Sequence, residues 1–457
     1  MTCASLIANL STPLSADGRE LRALPSSVEF VALRPDIVDP EWVSQHFPGQ
    51  VLFELNFEQD LNEARLSRIP VEQRIVSWYG EVSNLDDLQA RFSEVSATPA
   101  RFYKLVNTAR TISEEFLPLQ LLKSLGRTDT IAYATGLLGF WSRLAALQLG
   151  APAIFGLVSP GPNAGEPTIA KLIDDYGLPE VRPVKELFAI IGNPIFHSLS
   201  PRLHNSSYRE MNYPALFVPL QVTSFADFWR EFVLSRQLDA LGFPINGMTV
   251  GSPHKEEAFR TAKNVSSMVQ QTQAANILVR NNGWWRADTT DPDVVASNLQ
   301  NISVNDKRAA VIGCGGAGRA IAAALAESGA GVTLINRGTE RGEYAASLLG
   351  LPYQPLLDFD AEGYDIVVNA TPVGRDTDDA PFKVERLNSD AVVIDLVYAS
   401  RPTPLIDSTN GTSQVAIDGR DVLVTQVCNQ FRLMTGKEMP AALAFEALGP
   451  QSSNGKN

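Results

Sequence analysis

The stretch AAVIGCGGAGRA, Ala309 to Ala320, joins a strand-like apolar run directly to a glycine turn and a helix of small residues, Arg319 to Leu325. Gly313, Gly315 and Gly318 have the G-x-G-x-x-G spacing of a dinucleotide-binding turn. The first glycine makes the turn, the second lets backbone approach a pyrophosphate, and the third lets helix and strand pack closely. With Gly316 and Ala317 they form the start of a helix, where free N–H groups and the dipole favour a phosphate. A second strand-like run, Gly331 to Ile335, leads into Asn336 and Arg337, with Arg341 just beyond. An NAD-specific turn places an acid at that point, whereas arginine offers a fixed fork of donors to a 2′-phosphate. The expected cofactor is NADP, with Glu340 as the one residue pointing the other way.

These groups need a scaffold, and 457 residues suggest two to four domains. A net charge of −13 argues against nucleic acid or an anionic membrane as general partners, so an anionic substrate must meet locally placed cations. Cys3, Cys314 and Cys428 form neither a C-x-x-C pair nor a disulfide framework, which fits a reducing compartment. None of His46, His197, His204 and His254 has a partner at structural-metal spacing, so no metal is expected. No apolar run reaches membrane-spanning length and the N-terminus has no signal pattern; the expected location is the cytoplasm.

Residues 1 to about 183 alternate short apolar runs with helix-like stretches. Strands are expected near Ser5–Ala8, Val28–Leu33, Val51–Leu55, Arg74–Trp78, Phe102–Val106, Thr130–Ala134 and Ala153–Val158. Alternation of this kind implies a parallel sheet. Seven strands in a segment this short point to a reduced (β/α) barrel. The stretches VEFVALRPD (28 to 36), RIVSWYG (74 to 80), FYKLV (102 to 106) and GLLGFWSRLAALQLGAP (136 to 152) resemble type I 3-dehydroquinate dehydratase. That resemblance makes Lys104 the match to the Schiff-base lysine, desolvated and of lowered pKa. It also makes Arg34 and Arg143 the matches to substrate-binding arginines. Tyr79 stands where the family has its catalytic histidine, Ala32 where it has an acid, and Glu166 where it has a glutamine. Proton abstraction beside an imine requires a base, so the domain is expected to keep the fold and to have lost the activity.

From Leu187 the chain resembles shikimate dehydrogenase, through GNPIFHSLSPRLHN (192 to 205), INGMTVGSPHKEEAF (245 to 259), QAANILV (273 to 279), ADTTDPDVV (287 to 295), YDIVVNATPVG (364 to 374) and DLVYASRPTPL (395 to 405). The resemblance implies that Ser198 and Ser200 bind the substrate carboxylate, a role suited to small hydroxyls at a helix start. It makes Lys255 the proton donor beside the developing alkoxide and Asp291 its partner. Asn276, Tyr398 and Gln426 would face the substrate, and Thr371 the cofactor. Counted back from Lys255, the family's threonine falls on Gly251; Ala287, Thr289, Gly338 and Ser400 also depart from its pattern.

The expected architecture is therefore α/β: a barrel-like domain over 1–183, then a two-domain shikimate dehydrogenase-like unit. That unit has a catalytic domain over 184–292, completed by a C-terminal helix over 427–449, and a Rossmann NADP-binding domain over 293–426. The expected activity is NADP-dependent, reversible reduction of 3-dehydroshikimate to shikimate in aromatic amino-acid (chorismate) biosynthesis, on small-molecule substrates. A bifunctional dehydratase/dehydrogenase using Lys104, a quinate or related hydroxy-acid dehydrogenase, and a non-catalytic NADP-binding sensor are the alternatives.

Overall fold

A computed structural model describes residues 2–10, 15, 17–34, 39–162, 165–399, 401–410 and 412–450. Parts of four stretches read from the sequence lie outside the described residues: Pro35 and Asp36, Asn163 and Ala164, Ser400, and the tail beyond Pro450. The chain divides into two units, Met1–Ile245 and Asn246–Asn457. Among the described residues, no helix is long and apolar enough to cross a membrane, and no group of three or more His, Cys, Asp or Glu could hold a metal ion.

The first unit carries a seven-stranded parallel sheet from β1 (Ser5–Asn9), β2 (Val28–Leu33), β3 (Gln50–Asn56), β4 (Arg74–Gly80), β5 (Phe102–Thr108), β6 (Thr130–Thr135) and β7 (Ala153–Leu157). The spatial order is β6-β5-β4-β3-β2-β1-β7, so β6 and β7 are the edges of a nearly closed barrel. All seven expected strands are present. Each was legible because a parallel strand covered on both faces reads as a continuous apolar run. One side chain after another from these strands fills a single core, among them Ile7, Phe30, Leu52, Ile75, Phe102, Val106, Ile131 and Phe155. By the two-residue period of a strand, Lys104 lies on the same face as Phe102 and Val106, and Glu54 on the same face as Leu52.

Helix α1 (Ile169–Tyr176) ends the barrel, and Gly177 terminates it in the left-handed region. Then β8 (Glu186–Gly192) and β9 (Ala215–Gln221) pair in parallel, with α2 (Ser200–Glu210) between them. Two residues of the GNPIFHSLSPRLHN stretch hold this crossover together. Asn205 donates from Nδ2 to the Phe217 carbonyl at 2.9 Å and accepts the Phe217 N–H at 2.8 Å. His204 is fully buried and stacks on the Phe217 ring at 4.1 Å, and burial pulls its pKa down to about 3, so it is a neutral packing group.

Glu115 is fully buried beneath the barrel rim, where it accepts from the Leu138 N–H at 2.8 Å and from the Trp141 indole. Burial raises its pKa from 4.5 to about 7. Between those two values the unfolded chain binds fewer protons than the folded one, so stability falls as pH rises through this window. Thermal unfolding of the full chain is expected to show this loss between about pH 4.5 and 7. Glu115→Gln, which keeps an acceptor without the charge, is expected to flatten it.

In the second unit β10 (Ile245–Val250) pairs antiparallel with β12 (Ile277–Asn281), β12 with β13 (Trp284–Asp288), and the short β11 (Asn264–Val265) lies parallel to β13. A six-stranded parallel sheet follows: β14 (Arg308–Ile312), β15 (Gly331–Asn336), β16 (Tyr353–Pro355), β17 (Ile366–Asn369), β18 (Val392–Asp395) and β19 (Val415–Ile417). Its order, β16-β15-β14-β17-β18-β19, is the 3-2-1-4-5-6 arrangement of a Rossmann sheet. The helices that matter below are α3 (Lys255–Thr261), α4 (Asp293–Asn298), α5 (Gly316–Glu327), α6 (Thr339–Leu349), α7 (Gly419–Thr435) and α8 (Ala441–Leu448). The single C-terminal helix expected over 427–449 is thus two helices. Gly436, at φ 69°, caps the first, and Pro440 opens the second, because neither residue suits a helix interior.

Candidate active site

In the Rossmann sheet the connections from β14 and β17 leave on opposite sides, and a crevice opens between them at the carboxyl ends of the strands. The three glycines of the turn are needed there for three different reasons. Gly313 has φ 103°, and a Cβ on it would also meet the Ala370 carbonyl oxygen at 2.9 Å. A Cβ on Gly318 would lie 1.8 Å from the Gly313 carbonyl oxygen, so helix and strand touch backbone to backbone. A Cβ on Gly315 would meet nothing within 4 Å: its glycine keeps clear the space in front of the N-terminus of α5.

That space is part of a cavity of about 610 Å³, lined by Gly313 to Ala317, Asn336, Arg337, Arg341 and Thr371 and walled on another side by Lys255 and Glu256. Asn336 braces the turn, accepting the Cys314 N–H at 3.2 Å and donating to the Gly338 carbonyl at 2.7 Å. Thr371 is fixed by donating from N and Oγ1 to Asn369 Oδ1 at 3.0 and 2.7 Å. Arg337 is exposed at the cavity edge, and Nη2 of Arg341 lies 3.5 Å from Glu256 Oε1. The same carboxylate oxygen accepts from Nη1 and Nη2 of the fully buried Arg319 at 3.0 and 2.9 Å. This ion pair between α3 and α5 was not foreseen, because 63 residues separate its members.

Lys255 opens α3, and its stem packs against the glycine turn: a Cβ on Gly316 would meet Lys255 Cδ at 2.9 Å. Its Nζ donates to Asp291 Oδ2 at 2.6 Å. The other oxygen of Asp291 accepts from Gln426 Nε2 on α7 at 2.7 Å and from Asn276 Nδ2 at 3.0 Å. Asn276 and Gln430 both donate to Thr290 Oγ1, at 3.0 and 3.2 Å, and Asn276 Oδ1 accepts the Thr290 N–H at 2.9 Å. Asp291 is 1 % exposed, yet every hydrogen bond it accepts comes from a named donor, so a buried carboxylate is held in one orientation against the ammonium. It does not cap α4, whose N-cap is Pro292 with no side-chain bond. Lys255, Asp291, Asn276 and Gln426 therefore form one constellation in the second unit; Thr290 and Gln430, which support it, were not singled out in the sequence.

Ser198 and Ser200 are 2 % and 3 % exposed in the first unit. Leu199 is the N-cap of α2 and makes no side-chain cap, while Ser198 Oγ accepts the Ser200 N–H at 3.2 Å. Ser200 is thus not the helix cap that a serine before proline suggests. Tyr398 is half-buried on the segment after β18, where Gly419 leaves room for its backbone. Thr249 is a residue that the sequence did not single out. Four residues, Gly251 to His254, separate β10 from α3, and the threonine sits inside the strand, with a buried hydroxyl that has no partner among the described residues.

In the barrel, the sequence expectation for Lys104 is corrected. Its Nζ is buried and lies 3.0 and 3.2 Å from the two oxygens of Glu54, with the Phe155 ring centroid at 3.8 Å. Burial by itself lowers an ammonium pKa, but the Glu54 carboxylate outweighs it, with Tyr133 and Tyr79 adding to the rise, and the net direction is upward. Lys104 is held charged, the opposite of a lysine prepared to attack a carbonyl. Tyr79 also donates to Glu54, and burial above all pushes its own pKa up. Glu54, on β3, was missed because it pairs across β4 with a residue fifty positions later. Arg34 and Arg143 line the same cavity of about 430 Å³, with Arg143 Nη2 3.6 Å from Glu166 and its guanidinium 4.4 Å above the Tyr133 ring.

Comparison with known proteins matches residues 29–182 to type I 3-dehydroquinase and residues 190–278 to the shikimate dehydrogenase substrate binding domain. A shikimate dehydrogenase (NADP(+)) of Syntrophobacter fumaroxidans is 32% identical over 269 residues, 57% of this chain and 91% of that protein. The chloroplastic bifunctional 3-dehydroquinate dehydratase/shikimate dehydrogenase of Arabidopsis thaliana is 27% identical over 396 residues, 81% of this chain; the chain spans 64% of that relative. The crystal structure of Thermus thermophilus shikimate 5-dehydrogenase in complex with NADP(H) and shikimate is 28% identical, with a TM-score of 0.51 over 57% of this chain and 98% of that one. With its Rossmann sheet and a lysine–aspartate pair beside the glycine turn, the chain belongs to the shikimate dehydrogenase family of oxidoreductases, here behind a type I 3-dehydroquinase-like barrel.

Proposed function

We propose that the protein is an NADP-dependent shikimate dehydrogenase, interconverting 3-dehydroshikimate and shikimate, with an N-terminal domain that does not dehydrate 3-dehydroquinate. The observation that carries the first half is the Lys255–Asp291 pair on the wall of the nucleotide cavity. The residues fit NADP: Gly315 leaves the front of α5 open for the pyrophosphate, and Arg337 and Arg341 offer cations for the 2′-phosphate. Bound there, NADPH supplies a hydride to the ketone carbon. Lys255 Nζ stabilises the oxyanion that develops and gives it a proton, so that ketone, hydride and proton balance as the secondary alcohol. Asp291, fixed by Asn276 and Gln426, keeps the ammonium aimed and balances its charge before the proton leaves, after which Lys255 is a neutral amine. Ser198 and Ser200 are proposed for the substrate carboxylate and Tyr398 for the space beside the ring. A sensor without turnover would need neither Lys255 nor its supported aspartate.

Thr249 is proposed as a further hydroxyl contact, on the strength of its orphaned buried oxygen. Thr249→Val is expected to raise the KM for 3-dehydroshikimate about tenfold with little change in the KM for NADPH. An equal rise in both would mean a packing role.

The inactivity of the barrel rests on Lys104 being held as an ammonium by Glu54, with Tyr79 in place of a base. Borohydride treatment of the full chain with 3-dehydroquinate is expected to leave Lys104 unmodified by peptide mass spectrometry. A reduced adduct on Lys104 would establish the bifunctional reading instead. Free thiols at Cys3, Cys314 and Cys428 fit the reducing, cytoplasm-like compartment proposed for the chain. The boundaries 1–183, 184–292 and 293–426 are proposed as its evolutionary domains.

A further inference from the structure

Between α1, which closes the barrel, and α2, whose first turn follows Ser198, the first unit has a partly open cavity of about 60 Å³. Two buried donors on its wall have no partner. Tyr176 is 7 % exposed and its hydroxyl is unbonded; Nη1 of Arg209 is likewise buried and unbonded. A buried N–H or O–H left without an acceptor is costly, and a pair of them lining one cavity marks a missing acceptor.

The charges around the cavity agree. Asp175 is shared between Lys171 at 2.8 Å and Arg202 at 2.7 Å, and Glu180 is taken by Arg182 at 3.2 Å. Among the described residues no carboxylate lies within ion-pair distance of Arg209, while a second guanidinium, Arg182, donates to its carbonyl. Arg209 is thus a surplus cation in a partly buried place. Burial, and next Arg182, lower its pKa against the weaker opposing pull of Glu180 and Asp175, while the buried Tyr176 hydroxyl stays protonated as a donor. The volume admits a few water-sized positions, enough for a small ion and too little for a metabolite.

We propose that this cavity is a binding site for one small inorganic anion, of the size of chloride, which accepts from Tyr176 Oη and Arg209 Nη1 and locks the last helix of the barrel onto α2. The site is independent of the dehydrogenase reaction. It gives the barrel a structural part in the chain, since the anion joins it to the helix that begins at Ser200.

The test is thermal unfolding of the full chain at constant ionic strength in sodium chloride against sodium gluconate, whose anion is too large to enter. The wild type is expected to gain about 2 °C or more in chloride, saturably. Tyr176→Phe is expected to lose that gain and to be no less stable than wild type in gluconate, because it removes an orphaned hydroxyl. Crystals grown in bromide should show an anomalous peak beside Tyr176 and Arg209. Equal midpoints in the two salts, or a bromide map with no peak there, would mean that water fills the cavity. A chloride gain that survives Tyr176→Phe would place the effect elsewhere. Each of those results overturns the proposal.

Discussion

Lys255→Met should reduce 3-dehydroshikimate about a thousandfold more slowly than the wild-type chain, with the KM for NADPH nearly unchanged. The expected size is that of removing a general acid which also stabilises the developing alkoxide. Methionine keeps the aliphatic stem that packs against Gly316, so the glycine turn should survive and cofactor binding with it. Asp291 would lose its ammonium partner but keep the amide donors Asn276 and Gln426, which limits the cost of leaving it buried. Steady-state kinetics with both substrates varied separates the outcomes. A fall in kcat with steady KM values supports proton donation, whereas a loss confined to the KM for 3-dehydroshikimate would make Lys255 a binding residue.

The second large effect is expected at the glycine turn, where two substitutions of the same kind should behave oppositely. Gly318→Ala brings a methyl to within 1.8 Å of a backbone oxygen that cannot rotate away. It should destabilise the second unit by about 3 kcal/mol, at the upper end of overpacking costs, and abolish NADPH binding. Gly315→Ala places its methyl in open space, so the unit should unfold at the wild-type temperature. Its cost falls on the ligand alone, as a raised KM for NADPH. Differential scanning calorimetry paired with a fluorescence titration of NADPH distinguishes fold from fit at the two sites. Equal thermal stability of the two variants would contradict the packing argument.

How much of this was legible in the chain follows from where each interaction reaches. The seven barrel strands and the central strands of the nucleotide sheet announce themselves locally, as apolar runs separated by turns, because each is covered on both faces; its edge strands Tyr353–Pro355 and Val415–Ile417 are short and partly exposed and carry no such signal. The glycine turn is equally local, and Gly313, Gly315 and Gly318 take distinct roles because each fixes its own stretch of backbone. Thr249 is not legible as a site residue because its orphaned hydroxyl shows only once the strand is packed. The lowered pKa expected of Lys104 failed for a related reason. Burial can be guessed from Phe102 and Val106 beside it, but the sign of the shift is set by Glu54, fifty residues away across an intervening strand. Gln430 and Arg319 are likewise polar groups whose partners, Thr290 and Glu256, come near only when segments distant in sequence pack.

Two cavities of the chain each hold a lysine paired with a carboxylate. In the second unit the lysine is paired with an aspartate beside the nucleotide cavity, where the proposed reduction would need a proton. In the barrel the lysine is held charged by a glutamate that grips it with both oxygens, and the tyrosine at the family's base position donates to that glutamate.

The most direct measurement is an assay of the purified full chain for both reactions: NADPH consumption with 3-dehydroshikimate, and formation of 3-dehydroshikimate from 3-dehydroquinate without cofactor. The structure predicts steady turnover in the first, strongly favoured with NADPH over NADH, and none in the second. Turnover of 3-dehydroquinate, or NADPH that binds without being oxidised by 3-dehydroshikimate, would contradict it.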